Sequence, residues 1–391
     1  MMREHGPLQT RQPRARASQT LARFLPLIAL IAAIGLTSGC GSESPAVTSR
    51  FKAFGEEVDV SMLAVKPETA EEAMALIRAD FAELEHDLNT WTDGEMARVN
   101  RLLPTGEPFE APVAIVPLIL LSQRYAELTD NLFNPASGKL NALWGFNVAV
   151  PEGMRPPPQH AINQLLTAAP TMADIEVDIL TVRGDNPQLR LDFSGINQAY
   201  AIDLAIARLR ELGIRNARVK TGSDLRVIGN RSGQPWRVSI RRGSGTGVFA
   251  TLEFKNDESV VTRAAHDRNW LHDGVIYHYM LDPRTGRPAR DTQAVTVIHP
   301  EAAVAAAAAS ALFVAGPDHW HALAQTLGLR YVLLVDNAGT MHVNPELYKR
   351  LRLIDKEISV ELSPPLTPSN PSRRGSVHVP HRNPGSNSSI Q

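Results

Sequence analysis

The side chains able to do polar chemistry are spread thinly along this chain of 391 residues. His266, His272 and His278 recur every six residues, unlike the i, i+4 spacing of a metal pair on one helix face. Cys40 is the only cysteine, so neither an internal disulfide nor a cysteine-based zinc site can form. No G-x-x-x-x-G-K-[ST] phosphate loop occurs, and the strand–helix turns lack a dinucleotide glycine fingerprint. Taken alone, Asp192 and Asp203 read as caps or surface charges. Asp282-Pro-Arg-Thr-Gly286 reads as a turn. Trp91 alone reads as a packing aromatic. Arg263 could meet an anionic phosphate, although a solvated side chain is its simplest reading.

Charge excludes further classes. Lys and Arg total 40 against 41 Asp and Glu, and no basic stripe is interleaved with aromatics, so nucleic acid is not an expected partner. At the N-terminus, Arg3, Arg11, Arg14, Arg16 and Arg23 precede the apolar run Leu25–Leu36, which is shorter than the ~20 residues of a spanning helix. Such a segment reads as a signal peptide. Leu36-Thr-Ser-Gly-Cys40 resembles the lipobox of bacterial lipoproteins, with Leu four places before the cysteine instead of three. The expected organisation is a signal peptide at 1–39, a lipidated tether at 40–50, one domain at 51–362 and a disordered tail at 363–391. The tail is rich in Pro, Ser, Asn and Arg and cannot offset its ordering entropy by burial. The expected location is the periplasm-facing bacterial cell envelope, anchored to membrane through acyl chains on Cys40. An ordinary signal peptide cut nearby, with Cys40 incidental, is the alternative.

The elements that must position any site alternate between helix and strand. Apolar spacing predicts helices over 68–89, 112–130 (opened by Pro112), Tyr200–Leu212 (closed by Gly213) and the Ala-rich Glu301–Val314. Short strands are predicted at Ala217–Thr221, Leu225–Gly229, Trp236–Arg241, Thr251–Phe254, Ser259–Thr262, Tyr277–Leu281, Ala294–Ile298 and Tyr331–Val335. Many short strands mixed with helices argue for an α/β fold of the mixed α+β kind, a mixed sheet with flanking helices.

Six segments, in order, resemble one family. Asp93-Gly-Glu-Met-Ala-Arg-Val-Asn100 is similar to an S-E-x-x-x-x-N loop. Leu132-Phe-Asn-Pro135 through Leu143-Trp-Gly-Phe146 is similar to F-D/N-P…L-W-G-F. Asp192-Phe-Ser-Gly-Ile-Asn-Gln-Ala-Tyr-Ala-Ile-Asp203 resembles D-L-G-G-I-A-K-G-Y-A-V-D, and Gly222-Ser-Asp224 stands where G-G-D is usual. Tyr277-His-Tyr-Met-Leu-Asp-Pro-Arg-Thr-Gly286 resembles H-I-I-D-P-x-T-G, and Ser310-Ala-Leu-Phe-Val-Ala-Gly316 ends like A-D-A-L-x-T-A-L-F-V-x-G. Over residues 50–350 the chain resembles the FAD:protein FMN transferases, the ApbE family.

The resemblance implies transfer of FMN from FAD to a Thr or Ser hydroxyl of a target protein, with release of AMP and with Mg²⁺ against the diphosphate. It implies as partners FAD and a flavin-acceptor protein of a membrane redox complex. The flavin-nucleotide contacts carried over are Phe54, Trp91, Leu132, Phe133, Asn134, Asp192, Gln198 and Met280. The implied metal site is the Gly195 carbonyl with Ser310. The family's metal-binding Asp falls on Ala306, its Lys on Gln198, and its His on Tyr279. Tyrosine, with a pKa near 10, is a poor base at neutral pH. On a strand, His278 points to the opposite face from Tyr279 and cannot replace the lost base. The family's T-S-G is Thr262-Arg-Ala here. The alternative to an active transferase is a relative that binds flavin, or a partner, and transfers nothing.

Overall fold

Alternate side chains on single strands feed two different cores, and this alternation organises the molecule. Along Tyr331–Asp336, Val332 and Leu334 enter one buried cluster, while Tyr331, Leu333 and Val335 enter another. Val260 and Val261 divide in the same way. The sheet must therefore be covered on both faces. The structure, a computed structural model, describes residues 46–89, 94–146, 153–241, 247–254 and 256–367. Trp91 and Cys40, with the expected signal peptide and most of the expected tail, lie outside them.

Nine strands form the central sheet: β1 (Val47–Ala53), β2 (Glu56–Met62), β3 (Ala217–Thr221), β4 (Asp224–Ile228), β5 (Glu258–Ala264), β6 (Thr292–His299), β7 (Tyr331–Asp336), β8 (Met341–Val343) and β9 (Val360–Leu362). They lie side by side in chain order. Neighbours are antiparallel except β8 and β9, which are parallel, so the sheet is mixed. One face carries helices α1 (Pro67–Leu88), α2 (Val116–Leu128), α3 (Asn197–Glu211) and α4 (Ala302–Ala315). The other is covered by a three-stranded sheet of Arg237–Arg241, Val248–Glu253 and Leu351–Leu353, through Trp236, Ile240, Phe249 and Leu252.

Every residue of α4 is buried. It rests on β5 and β6 with α3 alongside. Its small side chains allow that close approach, and a helix enclosed all round needs no polar face. Its first-turn amides are capped from a different helix. The Asp203 carboxylate on α3 accepts the Ala302 and Ala303 N–H groups, each at 2.9 Å. Asp203 also pairs with Arg226 at 2.6 Å.

The predicted elements are present with shifted ends. A turn at Pro112 precedes α2, and α3 ends through Gly213 at φ +75°, whose N–H bonds Arg210 O at 2.9 Å. The continuous strand expected over Tyr277–Leu281 is corrected to Val275–His278 followed by Leu281–Asp282. The chain turns tightly between them, with Leu281 N–H bonded to Tyr279 O at 2.9 Å. At the expected domain edges, β1 begins at Val47 and Leu366 is buried, so packing extends a few residues beyond 51–362.

At one edge, Asp59 on β2 holds Arg50 of β1 at 3.1 Å and Arg218 of β3 at 2.7 Å. Burial alone would raise its carboxyl pKa, but Arg218, Arg50 and Ser61 together hold it below the ordinary 3.8. A depressed carboxylate stabilises the fold above its unfolded pKa and loses that contribution as pH falls toward its folded value. We expect Asp59→Asn to lower urea stability by more at pH 7 than at about pH 3, where part of the carboxylate's contribution is lost. An equal gap at both pH values would refute this account.

Candidate functional site

Residues brought from four distant segments line one narrow cleft. Leu132, Phe133 and Asn134 come from the loop after α2, and Asp192 and Gly195 from the turn before α3. Tyr279 and Met280 come from the broken strand, and Ser310 from α4. The turn at Tyr279 delivers those two side chains, since an uninterrupted strand would have sent them to opposite faces. His278 faces away: it packs edge-on against Phe313 of α4 at 5.5 Å and lines neither this cleft nor its neighbour. Burial pushes its imidazole pKa down.

Local hydrogen bonds show what the polar residues do. Asn134 ties the loop, donating to Pro170 O at 2.9 Å and accepting the Ala136 N–H at 3.1 Å. Asp192 accepts the Ser194 N–H at 2.9 Å and the Asn141 Nδ2 at 3.0 Å. Both shape the wall as well as line it. The turn Asp282–Gly286 is tied to the same wall, because Trp144 Nε1 donates to Gly286 O at 2.7 Å. Trp144 stacks into an aromatic cluster with Trp270 and Tyr277.

A larger cavity of about 740 Å³ adjoins the cleft, and Ser194 and Tyr279 line both. Gln198 lies here beside Gly222, not in the narrow cleft. Seven Arg or Lys and four Asp or Glu line the cavity, which makes it a basic basin suited to an anionic ligand. His266 and Asp267 also face it, with Nε2 and Oδ1 3.5 Å apart. Burial raises the Asp267 carboxyl pKa, against the pull of His266 and Arg263. Burial likewise pushes the Tyr279 phenol above its ordinary 10, so it stays protonated at neutral pH and is a poor base.

Phe54 departs from expectation and lines neither cavity. It sits in the two-residue turn between β1 and β2, where Phe54 and Gly55 both have positive φ, +55° and +78°. That type I′ geometry directs the chain against α1. The Phe54 N–H bonds Glu85 at 2.8 Å, and its ring meets Phe81 at 6.2 Å.

The residues present do not fit a divalent cation. The Ala306 side chain offers no ligand oxygen, and Ser310 Oγ, which donates to Ala306 O at 2.9 Å, brings only a neutral oxygen. The Gly195 carbonyl accepts from Arg263 Nη2 at 2.8 Å, which sets a positive charge where a cation would sit. A hard cation wants several oxygens, with carboxylates among them. Among the described residues no group of three or more His, Cys, Asp or Glu side chains is arranged to hold a metal. Sequence reasoning missed the pairing of Arg263 with Asp224, which joins neighbouring strands through a register that composition does not reveal. It also missed His266 and Asp267, which belong to no recognised motif.

Comparison with known proteins agrees with this geometry. The chain is 32% identical over 338 residues to an FAD:protein FMN transferase of Rhodobacter capsulatus, spanning 85% of this chain and 64% of that protein. It is 28% identical over 331 residues to an FAD:protein FMN transferase of Klebsiella pneumoniae, spanning 78% of this chain and 91% of the other. The crystal structure of the ApbE protein from Thermotoga maritima superposes with a TM-score of 0.71 at 28% identity, covering 79% of this chain and all of that one. The ApbE family model matches residues 54–333, and with the cleft assembled from that family's segments the chain belongs to the ApbE family.

Proposed function

We propose that this protein binds FAD in the joined cleft and cavity and transfers FMN to a Thr or Ser hydroxyl of a target protein. The observation that carries this reading is the convergence of Leu132–Asn134, Asp192, Tyr279, Met280 and Ser310 on one cleft beside a basic cavity. In the reaction the acceptor oxygen attacks the phosphorus nearer riboflavin, the diphosphate bridge breaks, and AMP departs with the bridging oxygen. Negative charge grows on that oxygen, and the cations lining the cavity are the groups here that stabilise it. The hydroxyl proton needs an acceptor, and the His266–Asp267 pair is a titratable pair facing the cavity beside Arg263 and Tyr279 that can take it. No step is assigned to Mg²⁺.

The acceptor is a redox protein exposed to the periplasm, within reach of an enzyme tethered to membrane through lipid on Cys40. Mass spectrometry of the membrane fraction tests the anchor: an unmodified, soluble N-terminus removes it.

A second reading is a binder that holds FAD and transfers nothing. The protonated Tyr279 phenol and the methyl group of Ala306, at the positions where the resemblance implies a base and a metal ligand, favour it. One experiment separates the two. The purified protein is incubated with FAD and the acceptor protein of the Klebsiella pneumoniae relative, with that relative as positive control. A mass increase of FMN on the acceptor establishes transfer. FAD recovered intact from the protein, with the control active, establishes the binder. A protein that neither retains nor consumes FAD excludes both.

A further inference from the structure

We propose that the guanidinium of Arg263 occupies the position where the family resemblance implies a divalent metal, so that no divalent ion is held there and any flavin binding by this chain is independent of metal. The flavin part of this statement rests on the reading above; the cation part does not. Arg263 reaches the Gly195 carbonyl with Nη2 at 2.8 Å. A Cβ at Gly195 would lie only 4.0 Å from Ser310 Oγ, so carbonyl, hydroxyl and guanidinium share one small region.

The arrangement is held firmly. Asp224 grips the guanidinium from two sides, Oδ1 to Nη1 at 2.6 Å and Oδ2 to Nη2 at 3.1 Å. Nη1 also donates to Thr262 O at 3.0 Å. A planar fork between two carboxylate oxygens has little freedom, and the side chains of both partners are nearly inaccessible, at 8% and 2% exposure. The pair has a direction. Arg263 lines the large cavity, whereas Asp224 does not, so its positive end faces the space where a ligand would lie. Asp267 is the other carboxylate whose charge bears on it, and the neutral Tyr279 phenol lies nearby.

A divalent ion would have to displace this cation from the carbonyl, take Asp224 away from it, and do without a carboxylate at 306. Arginine keeps its charge at every physiological pH, and no chelator removes it.

Two measurements on the whole purified protein test this, and neither uses turnover. In the first, Mn²⁺ is titrated into the flavin-free protein while free Mn²⁺ is followed by electron paramagnetic resonance. We expect no stoichiometric site; one Mn²⁺ bound per chain at micromolar concentration overturns the proposal. In the second, FAD affinity is measured by fluorescence quenching, once with excess EDTA and once with Mg²⁺. The two Kd values should agree within about threefold, and a tenfold gain with Mg²⁺ overturns the proposal. If FAD binds under neither condition, the flavin-binding reading fails, while the Mn²⁺ titration still decides the cation. The double substitution Arg263→Ser with Ala306→Asp should create a Mn²⁺ site. A folded double variant that still binds none would count against Arg263 as the blocking group, and the wild-type titration stands if it does not fold.

Discussion

Asp203→Ala is expected to cost the fold about 3 kcal/mol or more, because it removes one partner of a buried ion pair and the cap of a buried helix together. Arg226, with a side chain only 8% exposed, would keep Asp257 at 3.0 Å and lose its 2.6 Å bond to Asp203. The Ala302 and Ala303 amides would lose their acceptor inside protein, where water cannot easily replace it. Burial raises the Asp203 carboxyl pKa against the pull of Arg226 and the two amides. The intact pair therefore adds little net stability, and most of the cost comes from what deletion leaves unpaired. Adding Arg226→Met to Asp203→Ala should recover part of the loss. Urea unfolding of the single and double variants gives the answer. A single variant within about 0.5 kcal/mol of the parent, the range of an ordinary surface change, would show that the N-terminus of α4 needs no cap from α3.

Gly286→Ala should destabilise by about 2–3 kcal/mol and weaken FAD retention as well. Gly286 sits at φ +66°, and a Cβ there would come within 2.6 Å of Ile162 Cγ2. Alanine is strained at that φ, and the clash falls on a buried side chain that cannot withdraw freely. Relief requires the Asp282–Gly286 turn to move, and Met280, Leu281 and Pro283, all lining the cleft, are joined to it. Trp144 would lose its 2.7 Å acceptor in the same shift. Chemical unfolding reports the stability, and fluorescence quenching reports the flavin. Parent-like values in both would separate this turn from the cleft and leave the Asp-Pro-Arg-Thr-Gly run as a surface feature.

The apolar periodicity made most of the fold legible. The helix ending at Gly213, the Ala-rich run Glu301–Val314 and the strands at Ala217–Thr221 and Tyr331–Val335 follow from spacing and composition, because each buries its pattern against a large neighbour. Much of the cleft was legible as a set of segments, through motif resemblance: Leu132, Phe133, Asn134, Asp192, Gly195, Tyr279, Met280 and Ser310 line one cleft. The turn at Tyr279 was not, since a single local hydrogen bond breaks an otherwise strand-like run. Nor was the fate of Phe54, because a two-residue turn with both residues at positive φ sets the direction of its side chain independently of hydrophobicity.

By itself, then, the order of residues determined which segments are helices and strands, and which chemical groups are lost at 198, 279 and 306. Only the tertiary structure decided what fills the place of those losses. Asp224 and Arg263 are 39 positions apart, and Arg263 and Gly195 are 68 apart. A contact of that kind depends on strand pairing and on which face each side chain occupies. A charge read along the chain as solvated became, once buried against a carboxylate and a carbonyl, the fixed cation of the site.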